Sequence, residues 1–289
     1  MESQSEESKE LSEGICMVPK FDDGESSLFP EDSAIWRIGR EHVLLLGGAA
    51  AAILQIAHPE VALGVAQHSN FRRDSMTRLR HTLEAVYTVT FAPRREVEAM
   101  AAHVRAIHAR VRGDSPQQYS AFSPDAQMWV LATLIQTSIA MYERFVGPVS
   151  PADRESYLRD MRVFGTYFGL ATTYGPQNWA DFSQYYEGML GGDFLGSLPV
   201  SQELARHVAY PRRPLYVRLL WPLSGFAARE FLPSPLREKL GLAPTLYSRC
   251  AARIVTAFLP GILPWVPSIL RFAKKYRQAI LRDRAARCV

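Results

Sequence analysis

Val43-Leu44-Leu45-Leu46-Gly47-Gly48-Ala49-Ala50-Ala51-Ala52-Ile53-Leu54-Gln55-Ile56-Ala57, closed by His58-Pro59, is the stretch that decides the fold. It is almost wholly apolar, yet it falls short of the ~20 residues that a membrane-spanning helix needs. Two glycines and Gln55 interrupt it. The reading is a buried central helix. The small residues Gly47 to Ala52 let a second helix, or a flat ligand, come close. Pro59 ends the run, because the residue before a proline is held out of the helical region.

Upstream, Ser33 is a cap for a helix that begins after Asp32 and runs from Trp36 to Leu46 into the apolar stretch. Met1 to Glu13 is acidic and serine-rich, unlike the basic and then apolar regions of a secretory signal. We expect a disordered tail over 1–31, a single large helical domain over 32–289, and an intracellular protein that is not secreted. Downstream, Pro59 to Asp74 reads as turn-rich. Ser75 caps a helix to Phe91, and Pro93 opens another through His108 to Val111, which Gly113 stops. Further helices are expected over Asp125–Phe145, Pro151–Phe168, Pro176–Met189, Ser201–Ala209, Thr245–Phe258 and Pro267–Ala286, with Pro211–Leu242 irregular. No sustained two-residue alternation occurs, so the class is all-α.

The chain has 289 residues, 47% hydrophobic and 21% charged, enough for a sizeable core. The net charge of +4 comes without a block of basic residues interleaved with aromatics before the C-terminus, so nucleic acid is not an expected partner. Cys16, Cys250 and Cys288 are far apart and odd in number, which argues against a disulfide framework or a thiolate metal site.

Two clusters carry chemistry. In Arg78-Leu79-Arg80-His81-Thr82, steps of four, three and four put Arg78, Thr82, Ala85 and Val89 on one helical face, with His81 at its edge. That face is either a polar pocket wall or a solvated first turn. In the second cluster, His108 borders an apolar stripe of Met100, Val104, Ile107 and Val111, with His103 on the other side. It is either a hydrogen-bonded structural histidine or a ligand. Zinc helices place histidines four apart, and di-iron bundles repeat Glu-x-x-His; neither pattern is present. A single axial histidine needs no partner in sequence, so haem is the metal cofactor these patterns leave open.

The ordered strings Gln55-Ile56-Ala57-His58-Pro59, Gly64-Val65-Ala66-Gln67-His68-Ser69-Asn70-Phe71, Arg78-Leu79-Arg80-His81-Thr82 and Ile107-His108-Ala109-Arg110-Val111-Arg112-Gly113 resemble one superfamily. It is that of the latex-clearing proteins, or rubber oxygenases, and of the fungal oxygenase that trims the farnesyl chain in mycophenolic acid synthesis. Tyr119-Ser120-Ala121, Asp125-Ala126-Gln127-Met128-Trp129-Val130, Tyr142-Glu143-Arg144-Phe145 and Leu232-Pro233 echo it, and the resemblance covers about Trp36 to Leu242. It implies a globin-like helical core holding haem b, with dioxygen as co-substrate. It implies His108 as proximal iron ligand and Arg78, His81 and Thr82 as the distal cluster, Arg78 also helping to hold the cofactor. Rubber oxygenases carry lysine where this chain has His81, which makes His81 a second candidate iron ligand.

The leading expectation is therefore a haem b-dependent oxygenase acting on a hydrophobic isoprenoid or polyketide-like molecule of secondary metabolism, with oxidative cleavage of a carbon–carbon double bond as its reaction. Two alternatives keep the fold: a cyclase, isomerase or dehydratase using His81 or His58 as acid or base, and a haem sensor. Near the C-terminus, Ile254 to Leu270 is apolar but broken by Pro260, Pro264 and Pro267, and basic residues follow. Residues 254–277 are either a peripheral membrane contact or helices packed on the core.

Overall fold

The computed structural model describes residues 26–69, 75–114, 118–210 and 229–287, giving the backbone only at 75–78, 286 and 287. The protein is all-α, with one two-residue strand pair among the described residues. Helix α1 (Ala34–Gly39) leads through a 3₁₀ turn (His42–Gly47) into α2 (Gly48–Ala57) and α3 (Pro59–His68). Then come α4 (Ser75–Phe91), α5 (Arg94–His108), β1 (Arg112–Gly113), β2 (Tyr119–Ser120), α6 (Pro124–Phe145), α7 (Pro151–Thr166), α8 (Trp179–Gly191) and α9 (Pro199–Ala209). After the segment 211–228, which lies outside the described residues, follow α10 (Ser234–Lys239), α11 (Leu246–Ile262), a 3₁₀ turn (Leu263–Trp265), α12 (Ser268–Arg271) and α13 (Lys274–Arg287).

The apolar stretch is the central helix its composition predicts. In α2, Ile53, Leu54, Ile56 and Ala57 are buried, and the helix packs on α6 and α9. Trp129, itself fully buried, donates its indole N–H to the Leu54 carbonyl at 2.7 Å. The small residues admit a helix: a Cβ on Gly47 would sit 2.7 Å from Met141 Cγ on α6. Among the described residues no single helix is long and apolar enough to cross a membrane; the run from His42 to Ala57 bends by 102° into α3.

Several boundaries differ from the expectation. Pro59 to His68 is a helix rather than turns, because Pro59 occupies its first turn, where a fixed φ and a missing N–H cost nothing. Residues 70–74 of the same segment lie outside the described ones. The run from Trp36 to Leu46 is broken at Arg40-Glu41, where Glu41 turns extended and bridges to Phe272. Helix α5 ends at His108, and Gly113 sits in β1. The C-terminal helix is likewise split at Phe272-Ala273. Packing begins earlier than residue 32: Phe29 is buried and the Arg94 N–H bonds to the Ser26 carbonyl at 2.9 Å.

One buried ion pair ties the two ends of the chain together. Glu41 is fully buried, and Arg271 meets both its oxygens, Nε to Oε2 at 2.9 Å and Nη2 to Oε1 at 3.0 Å. The Ala273 N–H bonds to the Arg40 carbonyl beside it at 2.9 Å. Removing one partner of such a pair strands a charge away from water, at a cost of ~3–5 kcal/mol. We expect Arg271→Ala to lower the unfolding free energy by about 3 kcal/mol in urea titration, and Glu41→Leu with Arg271→Met to recover most of that loss.

Candidate functional site

The site is built on α3 and on the α4–α5 hairpin. Only Ala92 and Pro93 separate α4 from α5, and the two helices pack together. At a rise of 1.5 Å per residue, Arg78 and His108 both lie roughly 20 Å from that link, and His81 and Thr82 roughly 15 Å. The hairpin therefore carries both sequence clusters to one end.

His108 lies on the inner face of α5. The buried positions of this helix are Val97 and Ala101, and the same stripe continues through the half-buried Val104 to His108, at steps of four, three and four. The stripe inferred from sequence, through Met100 and Ile107, is rotated away from this face, and Ile107 is exposed. The imidazole thus extends an apolar row, with the Phe122 ring edge-on to it at 6.3 Å. On α4 the predicted face splits. Ala85 and Val89 are buried, while His81 and Thr82 are exposed, and the Arg78 side chain lies outside the described residues. His103 is exposed.

Beyond His108 the chain turns into the β1–β2 hairpin, which lies against α3. Tyr119 is buried; its hydroxyl donates to Gln67 Oε1 at 2.7 Å and lies 2.9 Å from His68 Nε2. Gly113 is required here, since a Cβ at that position would enter the Tyr119 ring. In the first turn of α3, at its other end, Glu60 accepts from the Ser123 hydroxyl at 2.9 Å and from the Ser120 N–H at 3.3 Å. The strings at 55–59, 64–69 and 107–113 therefore meet around one short helix.

His58, at the α2–α3 bend, is the residue whose environment the sequence did not reveal. Its ring is 1% exposed, and neither nitrogen has a hydrogen-bond partner among the described residues. Phe194 packs edge-on against it at 4.9 Å. Burial holds its pKa below the usual histidine value, against the opposing pull of Glu60 and Asp125. Asp125 in turn accepts from the Tyr174 hydroxyl, and that bond is the first cause of a Tyr174 pKa pushed up to about 12.

A haem asks of a protein one or two axial ligands, apolar walls and donors near the iron. The imidazole at the end of an apolar row, with Phe122 beside it, has the chemistry of the first requirement. No group of three or more His, Cys, Asp or Glu side chains is placed to hold a bare metal ion among the described residues.

Residues 35–260 match the family of the ER-bound oxygenase mpaB/B′ and rubber oxygenase, catalytic domain, and the chain belongs to that family. Two relatives are uncharacterized protein Mb2261 of Mycobacterium bovis and uncharacterized protein Rv2237 of Mycobacterium tuberculosis. Each is 27% identical over 199 residues, covering 67% of this chain and 70% of the relative. No solved structure matches the chain.

The pKa of His58 has a consequence for stability. Its folded value lies below the unfolded value of 6.5, so below that pH the unfolded chain takes up a proton that the folded chain refuses. His58 thus makes stability fall as pH drops from about 7 through the 6.5 midpoint. We expect His58→Leu to flatten that part of the curve, measured as urea midpoints between pH 7.5 and 5; an unchanged slope would show that His58 is not the group responsible.

Proposed function

We propose that the protein is a haem b-dependent oxygenase of a hydrophobic, unsaturated small molecule, isoprenoid or polyketide-like, with oxidative cleavage of a carbon–carbon double bond as its reaction. The observation that carries this reading is His108 at the inner end of α5, level with the Arg78 cluster of α4, in a chain of an oxygenase family. When bound, the haem supplies an iron that takes up and activates dioxygen. His108 would be its protein ligand, oriented by the row of Val97, Ala101 and Val104 on which its helix packs. Phe122, whose ring lies beside His108, would offer apolar surface to the porphyrin.

Arg78, His81 and Thr82 would serve the other side. A guanidinium and a hydroxyl one helical turn apart donate hydrogen bonds where negative charge develops on oxygen, which is where fixed donors count most. The imidazole of His81 would either donate in the same way or bind iron itself. Both His81 and Thr82 are exposed, so neither would give up a place in the core by turning toward a bound ring.

A second reading rests on His58, a buried histidine kept neutral in the hydrophobic interior. Such a group is a base at neutral pH, as a cyclase, isomerase or dehydratase requires. The visible spectrum of the purified chain divides the two. The oxygenase reading predicts a Soret band, oxygen uptake with an unsaturated polyprenyl substrate and carbonyl products. A haem-free protein that still converts such a substrate without oxygen would establish the second; haem without any oxygen uptake would mark a sensor. Within the oxygenase, we expect Arg78→Ala and Thr82→Ala to lower turnover by ~10²-fold while haem content stays near that of the parent. Equal losses of haem and activity would mean that the two residues only hold the cofactor.

A further inference from the structure

Helix α11 is apolar on two faces. Ser248, Ala252, Val255, Leu259 and Leu263 recur at steps of four, three, four and four, and this face packs toward Phe145 and Phe231. Tyr247, Ile254, Phe258 and Ile262 recur at steps of seven, four and four on another, and each is more than half exposed. A helix with an apolar face in water has a second partner. The row does not end with the helix. Trp265, held between Pro264 and Pro267, is 86% exposed, and Ile269 and Leu270 of α12 continue it. His42 Nδ1 lies 2.7 Å from the Leu270 carbonyl, which seats the 3₁₀ turn bearing the exposed Leu45 beside the same edge. So many bulky apolar groups on one side exceed what a protein surface carries without purpose.

The charge of the region tells what covers it. Residues 246–287 hold nine arginines and lysines against one acid, Asp283, a surplus of eight on a chain whose net charge is only +4. Arg271 and Lys275 are engaged with Glu41, Glu84 and Glu96, but Arg249, Arg253 and Lys274 are exposed. On the helical wheel Arg253 follows about 100° beyond Ile254, at the margin of the apolar face of α11, where a long side chain can reach to phosphate, whereas Arg249 lies on the opposite side of the helix.

We propose that the outer face of residues 246–271 docks on an anionic lipid bilayer. Trp265, Phe258, Ile262 and Ile269 enter the headgroup–acyl boundary, and Arg253 and Lys274 meet lipid phosphates. An aromatic at the tip, aliphatics beside it and cations at the margin are the composition of a surface that lies in the interface rather than crosses it. The prolines keep the segment from forming one long helix and hold Trp265 at its outermost point.

The test is sedimentation of the full chain with vesicles of phosphatidylcholine alone and of phosphatidylcholine with phosphatidylglycerol. The mixed vesicles should bind it, more weakly as salt is added, with a blue shift in tryptophan emission. Phe258→Ser with Trp265→Ser should weaken binding at least tenfold and remove the shift, with circular dichroism and haem content unchanged. Arg253→Glu with Lys274→Glu should abolish the preference for the anionic vesicles while keeping residual apolar binding. Failure to bind mixed vesicles, or binding that neither pair of substitutions alters, would overturn the proposal. So would a dimer in solution that Phe258→Ser with Trp265→Ser splits into monomers, since the face would then belong to a second copy.

Discussion

The bend at Ala57-His58-Pro59 is the constraint on which the rest of the molecule depends. It turns the chain through 102° between two ten-residue helices, so that one apolar run serves two purposes. Its first half fills the centre and is pinned by the Trp129 bond to Leu54. Its second half leaves the centre and carries Glu60, Gln67 and His68 out to the hairpin that follows His108. A straight helix of the same composition would have put those polar groups in the core, where each would lack a partner. The bend itself places His58 where water does not reach, and the lowered pKa of that imidazole is the cost of the turn.

Around this corner the molecule is organised as a closed frame with an open end. The ion pair of Glu41 with Arg271 fastens the last helices to the first, and the cluster of Trp36, Phe91 and Tyr276 joins α1, α4 and α13 near the α4–α5 link. The opposite end of that hairpin, with His81, Thr82 and His108, is where side chains remain accessible. Rigidity at one end and accessibility at the other suit a protein that must admit a flat cofactor and an apolar substrate. The apolar, basic face of α11 and α12 would place such a protein at the boundary where lipid-soluble substrates concentrate.

Much of the fold was legible in the sequence because its signals are local. Ser75 to Phe91 is one helix with the expected bounds, and α6 and α7 begin at or next to the prolines that announce them. What escaped depends on contacts distant in sequence. Arg40-Glu41 breaks a helical pattern because Glu41 must meet Arg271. Gly113, read as a helix stop, is small because Tyr119 needs the space. For the site, His108 stands out by its place near an apolar stripe, but hydrophobicity alone centres that stripe on Met100, Val104 and Ile107 rather than on the face that is buried. Val97 and Ala101 define the inner face, and a small alanine weighs little in a pattern read by hydrophobicity. His58 is a candidate acid or base from its sequence position, but its burial is not legible there, since sequence does not show that a histidine before a proline is sealed from water.

The central claim is that His108 binds the iron of a haem, and replacing the ligand tests it most directly. In His108→Gly the imidazole is removed and a space of its own size is left at the inner end of α5. The visible spectrum of this variant, recorded with and without added imidazole, decides the matter. The account predicts a Soret band that is weakened or displaced in the variant and returns to the parent position when imidazole enters the space. A variant that keeps the parent spectrum without imidazole, or a parent chain that takes up no haem at all, would contradict it.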